Sequence, residues 1–291
     1  MLTQLFVEGL FAGSVYALIA LGFGLIYSTT RVFHFAHAAI YTAAAYLAYS
    51  GGLLGLKLYV AIPLAVILAS MLGGLLEIVV YRPLRKKEAS PVILLLASLG
   101  LLIVIQNAIS LLFGDGAKSI RGSAVSEGLA IFEARITAIQ VGIMISSVLL
   151  LALCWAFIKY SNKGKAMAAV ANDPELARIV GIELDQVILF TFVLGSALAA
   201  IASILISFDT DMTPTMGFDA LLMGVVAAIV GGIGSIPGAF LGGLLVGMAQ
   251  HLGVWKLPTQ WQDAIVFGIL IIFLLLRPQG LLGKPLKKAA V

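Results

Sequence analysis

A chain of 291 residues that is 61% hydrophobic and only 11% charged, with a mean hydropathy of +1.10, cannot cover a globule with polar groups. Soluble domains carry about 25% charged residues, so this surface must face lipid. The net charge of +4 does not point to nucleic acid, because the Lys and Arg residues sit in short runs between apolar stretches, and a single cysteine, Cys154 in LLALCWAFI, excludes a disulfide framework and reads as a small buried hydrophobe.

A helix needs about 20 apolar residues to cross a hydrocarbon core of about 30 Å. Six runs meet or approach that length, 5–27, 33–50, 59–81, 90–113, 138–158 and 187–207, and three shorter ones follow, 218–232, 238–253 and 261–276. No Lys or Arg precedes the first run, so it is expected to be a retained helix and not a secretory signal, which needs a positive leader. The formally charged residues inside these runs are Glu8, Glu77, Asp219 and Asp263, each near a segment end where a side chain reaches the interface. Gln106 and Asn107 lie inside the fourth run and are expected to bond across to another helix. The expected fold is therefore all-α, a polytopic bundle of eight or nine transmembrane segments forming one domain over 1–291.

The pair at 218–253 is broken by Gly231-Gly232-Ile233-Gly234-Ser235-Ile236-Pro237-Gly238. Either both halves cross, or they form a re-entrant pair; non-helical backbone at that depth must be shielded by protein or line a cavity. Both alternatives keep the same parity. With the N-terminus outside, 13 of the 18 Lys and Arg fall on the cytoplasmic side, in 31, 82–87, 159–178 and 277–288, and Lys57, Lys118, Arg121, Arg135 and Lys256 fall outside. The positive-inside rule thus places the N-terminus outside and the C-terminus in the cytoplasm.

Two connections are long. Residues 114–137 form a polar external loop, and 159–186 a cytoplasmic one with soluble-type helix signals. Asp173, Pro174 and Glu175 read as N-cap, N1 and N2; Leu176, Ile179 and Val180 share one apolar face; and Gly181 suits the position just past the helix end. A second short helix is expected at about 163–171.

No catalytic set is present, and neither a metal nor a cofactor is expected. His34 and His37 share a face at the start of the second segment, with a packing role and a role along a solute pathway both open; a metal would need further ligands. The Gly-rich stretch has no Lys between Arg178 and Lys256, so it is not a phosphate loop. Its glycines read either as close helix packing through Gly234, Gly238 and Gly242 or as a broken helix at a pathway, with Gly232, Gly234 and Ser235 at the break. No charge lies near a segment centre, unlike the buried acids and histidines of proton-driven carriers. Uphill transport would then draw its energy from a partner, and the loop 159–186 offers a docking surface.

Four stretches taken in order carry a resemblance over nearly the whole length: Gly13-Ser14-Val15-Tyr16-Ala17-Leu18-Ile19-Ala20-Leu21-Gly22 with Phe35-Ala36-His37; Gly164-Lys165-Ala166, Ala169, Asp173 and Gly181-Ile182; Gly231 to Ala239; and Arg277-Pro278-Gln279-Gly280-Leu281-Leu282-Gly283. The chain resembles the LivH-type permease subunits of branched-chain amino acid ABC importers. It departs from the family pattern at His34 and Ala38, which flank Phe35-Ala36-His37, at Ala168, where an arginine is usual, and at Met223, where a lysine is usual. The resemblance implies a bacterial inner-membrane protein, cytoplasmic ATP-binding subunits, a second related permease chain and an external solute-binding protein. It also implies that Gly164, Ala166, Asp173, Pro174 and Gly181 belong to the segment that couples to the ATPase. Relatives in the wider superfamily carry urea, short amides or sugars, so an amide permease is the alternative, and a stand-alone channel or facilitator a further one.

Overall fold

The computed structural model describes residues 1–120, 129–131 and 134–283. Its helices are α1 (Leu2–Thr30), α2 (Ala36–Leu53), α3 (Leu58–Leu76), α4 (Arg82–Lys86), α5 (Pro91–Phe113), α6 (Ala138–Tyr160), α7 (Asn162–Asn172), α8 (Pro174–Ile179), α9 (Leu184–Ser207), α10 (Met216–Gly231), α11 (Ile236–Gly253) and α12 (Gln262–Leu276). A π-helical stretch, Glu77–Tyr81, joins α3 to α4 so that one helix runs from Leu58 to Lys86. All nine expected segments are helical, and the all-α class holds. Seven of these helices are long and apolar enough to cross a membrane. The other two are α2, rich in Ala and Tyr and mostly buried, and α10, whose 16 residues span about 24 Å, short of a full core.

Strands β1 (Leu129–Ile131) and β2 (Ala134–Ile136) pair antiparallel between α5 and α6, with Leu129 opposite Ile136, which the composition of that loop did not predict. Parts of the external loop, and Arg121, Lys284, Lys287 and Lys288 of the charge count, lie outside the described residues.

The chain divides into two compact units, one of residues 1–24, 127–151 and 223–291, the other of 25–126 and 152–222. In the first, α1 and α11 approach backbone to backbone. A Cβ on Gly13 would stand 2.8 Å from the Gly243 carbonyl oxygen, one on Gly243 2.6 Å from the Ala17 amide, and Gly247 faces Gly9 and Gly13. Gly9, Gly13 and Ala17 on one helix, and Gly243 and Gly247 on the other, recur every four residues and so form facing stripes. Gly238 and Gly242 make the expected small-residue seam, against Gly231 and Ala227 of α10. Gly234 does not share it; it lies in the turn, exposed, with φ +83.

In the second unit α2, α3, α5 and α9 pack around Ile40, Ala44, Ala65, Ala69, Phe192 and Ala200. Gly73 has no room for a Cβ beside Ser196, and Gly217 none beside the Ala38 carbonyl; the Gly217 amide donates to Thr42 Oγ1 at 3.1 Å. Asn107 does not bond across to another helix as expected. Among the described residues its amide donates instead to the Ile103 carbonyl at 2.7 Å, one turn back in α5.

The α1–α11 seam yields a test. Gly243→Leu should lower the stability of the purified protein by about 1–3 kcal/mol or more through overpacking, read as a fall in its thermal unfolding midpoint in detergent. Gly268→Leu, where a Cβ meets open space, should leave the midpoint unchanged. Equal midpoints for the two variants would show that the seam is not held by close approach.

Candidate coupling and pathway sites

The segment after α6 turns back on itself at Ser161, whose Oγ accepts the Gly164 amide at 2.9 Å and caps α7. A Cβ at Gly164 would strike the Ile158 backbone and the Phe157 carbonyl, so glycine is required for the reversal. Ala166 faces α9 across a groove, and Met167 and Val170 bury the inner face of α7. Asp173 is extended, and its Oδ1 accepts from the amides of Glu175 at 3.1 Å and Leu176 at 3.0 Å, with Pro174 as the first helical residue. The far end of α8 closes by two bonds of 3.0 Å, Ile182 N–H to the Ala177 carbonyl and Gly181 N–H to that of Arg178. Gly181 takes φ +85. This double bond is the Schellman closure, and the expected cap, start and stop all stand where the residue types place them. α8 buries Ala177 and leaves Leu176 and Ile179 57% and 80% exposed, with Val180, the C-cap residue, 67% exposed.

An ion-pair cluster fixes the exit of this segment. Asp185, in the first turn of α9, meets Arg82 at 2.6 Å, Lys86 at 3.7 Å and Arg85 at 3.9 Å. Arg85 also grips Glu77 with two bonds, 2.9 and 2.5 Å. Glu77 is fully buried and does not reach the interface as expected; the guanidinium comes to it instead, because an unpaired carboxylate at that depth is prohibitively costly. Beside the cluster lies an open cleft of about 960 Å³ whose walls include Thr30, Arg82, Arg178, Gly181, Glu183 and Asp185. Arg31 Nη2 donates to the Ala171 carbonyl at 3.3 Å and ties the end of α7 to the chain just past α1.

His34 and His37 are both fully buried. His34 lies in the turn before α2 and not on the helix itself, with its ring 5.6 Å from that of His37. The Tyr81 hydroxyl donates to Ser98 Oγ at 2.8 Å, and Ser98 Oγ accepts the Ala36 amide at the start of α2. With that proton committed, His34 Nδ1 is the donor in its 2.8 Å bond to Tyr81. Phe192 closes the ring cluster at 5.0 Å from His34. The knot thus joins α2, α5, α9 and the π-helical stretch, and leaves His34 Nε2 and both His37 nitrogens without a partner among the described residues.

Gly232, Gly234 and Ser235 belong to the other unit. Gly232 and Gly234 take φ +105 and +83, and Ser235 Oγ accepts the Gly238 amide at 3.1 Å, capping α11. The stretch 277–283 folds onto this turn. Leu281 and Leu282 donate their amides to the Val230 and Gly231 carbonyls at 2.8 and 2.9 Å, which α10 would otherwise leave open. Gly280, at φ +75, lies against Gly232, and Gly232 against Gly283, with no room for a Cβ on any of the three. This pairing of the third and fourth motifs was not read from the sequence; its only trace was a Gly-rich turn at each. Also missed was a polar string linking α1, α11 and α12: Gln4 to Glu8 at 3.0 Å, Glu8 to His251 at 3.5 Å, Tyr16 to Gln250 at 2.8 Å and Gln250 to Asp263 at 3.5 Å.

A family model described as the permease component of branched-chain amino acid transport systems matches residues 5–275. The chain is 36% identical to the high-affinity branched-chain amino acid transport system permease protein LivH of Escherichia coli K12, over 98% of this chain and 96% of that one. It is equally similar, at 36%, to the permease protein BraD of Pseudomonas aeruginosa, over 97% and 96% of the two chains. Among solved structures, PsaBC from Streptococcus pneumoniae in complex with Fab superposes with a TM-score of 0.54 at 15% identity, covering 94% of this chain and 91% of that one, a likeness of fold alone.

The buried ion pair makes a measurable difference between residues that look alike in sequence. Arg85→Leu should cost about 3–5 kcal/mol by stranding Glu77, and the double variant Glu77→Leu/Arg85→Leu should recover most of it. Asp185→Asn, at a half-exposed site, should cost under about 1 kcal/mol. Unfolding midpoints in detergent report all three, and a double variant no more stable than Arg85→Leu would contradict the assignment.

Proposed function

The chain belongs to the permease-component family of branched-chain amino acid transport systems, and from that premise we propose that it forms half of a gated pathway for branched-chain or other apolar amino acids, opened and closed by ATP hydrolysis on partner subunits. It is a multi-pass membrane transport subunit and not an enzyme. In this reading it sits in a bacterial inner membrane, N-terminus outside and C-terminus in the cytoplasm, beside a second related permease chain, with ATP-binding subunits below and a solute-binding protein above.

The observation that carries the reading is the apolar face of α8. Leu176, Ile179 and Val180 stand out from a polar connection whose start and stop are both capped by hydrogen bonds. A six-residue helix is too short to persist by itself, so closure at both ends preserves an apolar surface that only a partner would cover. Gly164, Ala166, Asp173, Pro174 and Gly181 shape that segment, and the Asp185 cluster joins it to the long helix from Leu58 to Lys86. For the pathway, the unpartnered ring nitrogens of His34 and His37 and the irregular backbone at Gly232, Gly234 and Ser235 supply polar atoms without a fixed charge. A zwitterion needs polar contacts, and a strong charge would trap it.

Reconstitution with the partner chains and the solute-binding protein should give leucine uptake that requires ATP and is competed by isoleucine and valine more than by urea or ribose. Ile179→Asp should assemble normally yet lower ATPase stimulation about ten-fold, the effect of losing one interface anchor. Leucine flux through this chain alone would identify a facilitator; competition by urea but not leucine would identify an amide carrier; unchanged stimulation in Ile179→Asp would make 159–186 a solvated connector. A cysteine placed at Ser119 should label from outside intact cells, and labelling only after permeabilisation would reverse the orientation.

A further inference from the structure

Where α6 leaves the membrane it carries Trp155, Lys159 and Tyr160, with Lys159 Nζ 4.5 Å from the centre of the Trp155 ring and 5.4 Å from that of Tyr160. Trp and Tyr collect at the level of the lipid headgroups, so Lys159 sits among lipid phosphates. Four residues further on, past the reversal at Ser161 and in the first turn of α7, Lys163 Nζ lies 4.9 Å over the ring of Phe190 in α9. Behind it runs a groove of about 390 Å³ between α7 and α9, lined by Ala166, Met167, Val187, Phe190 and Val193. That volume lies within the range of about 300–1,000 Å³ usual for ligand clefts. Gln186, also on the wall, has its amide engaged by Glu183 at 2.5 Å.

The charges are arranged unevenly. Arg82, Arg85 and Lys86 share Asp185 and Glu77, whereas Lys159 and Lys163 meet no carboxylate among the described residues and face aromatic rings instead. An ammonium held over a ring keeps its charge available to an anion. The groove therefore combines an apolar slot with one cation on its wall, Lys163, and a second, Lys159, four residues before it at headgroup depth. The complementary molecule has one negative head and a hydrocarbon tail, and basic pockets between membrane helices are suited to acidic lipid headgroups.

We propose that the groove between α7 and α9 binds one anionic phospholipid, its phosphate on Lys163 and Lys159 and an acyl chain along Ala166, Val187, Phe190 and Val193. The site requires only that α6 and α9 span a membrane, and is independent of which solute the permease carries. Bound there, the lipid fills the joint between the short helix α7 and the transmembrane helix α9.

The test is native mass spectrometry of the assembled, delipidated complex titrated with phosphatidylglycerol or phosphatidylcholine. Phosphatidylglycerol should be retained preferentially. Lys163→Gln and Lys159→Gln should each weaken its retention about five-fold, the share of one lysine near a lipid surface. Lys165→Gln, which removes the same charge from α7 away from the groove, should change nothing. Val193→Trp, which fills the slot, should abolish retention in a complex that still assembles. Equal retention of the two lipids, or equal losses in Lys163→Gln and Lys165→Gln, would overturn the proposal. Displacement by glycerol phosphate would mean a free-anion site with no role for the acyl chain, and exclusive cross-linking of Val193→Cys to another subunit would mean that protein occupies the groove.

Discussion

Inside a bilayer, apolar surface gains nothing by leaving lipid for a neighbouring helix, so helices stay together only where their backbones come close enough for dispersion and hydrogen bonds to act. Several of the contacts that shape this protein are of that kind. Gly9, Gly13 and Ala17 meet Gly243 and Gly247; Gly231 meets Gly238 and Gly242; Gly73 admits Ser196, and Gly217 admits the Ala38 carbonyl. The composition follows from this constraint: 31 glycines in a chain that is mostly helix would weaken a soluble fold, whereas here they set the distance between helices. The same closeness makes the interior unforgiving, because a single Cβ in such a seam strikes main chain, which cannot rotate aside.

That rigidity gives the polar groups fixed neighbours. Within the second unit Asp185, at the exit of the 159–186 segment, meets Arg82 and Arg85, and Arg85 reaches on to Glu77 at one end of the π-helical stretch. Tyr81 at the other end bonds His34 and Ser98, which holds the first amide of α2. The wider turn of a π-helix is found mainly where function has been built into a helix, and here its five residues carry both the buried carboxylate and the buried phenol. The 159–186 segment is therefore joined to His34 by side-chain bonds at both ends of the π-helical stretch, whose main chain carries the link between Glu77 and Tyr81.

Much of this was legible from residue types. The nine apolar runs are nine helices, and the cap at Asp173, the start at Pro174 and the stop at Gly181 follow from local chemistry, which depends only on residues a few positions apart. What escaped depends on residues far apart. Glu77 read as a side chain able to reach the interface, because nothing local reveals that Arg85, eight residues on, folds back to it. The turn at Gly231–Ser235 read either as packing or as a pathway; its two hydrogen bonds from Leu281 and Leu282 join motifs about fifty residues apart. The His34–Tyr81–Ser98 knot needs three segments at once. Asn107 misled in the opposite direction, since a local bond to Ile103 served where a distant one was expected.

The central claim is that the apolar face of α8 is covered by the ATP-binding subunit. A photo-cross-linking residue placed at Ile179 in intact cells measures this most directly, with a second placed at Lys118, on the far side of the membrane in the proposed orientation. The account predicts one dominant adduct of the ATP-binding subunit from position 179 and none from position 118. Adducts from 179 that contain only lipid or another copy of the permease, with the ATP-binding subunit present and assembled, would contradict it.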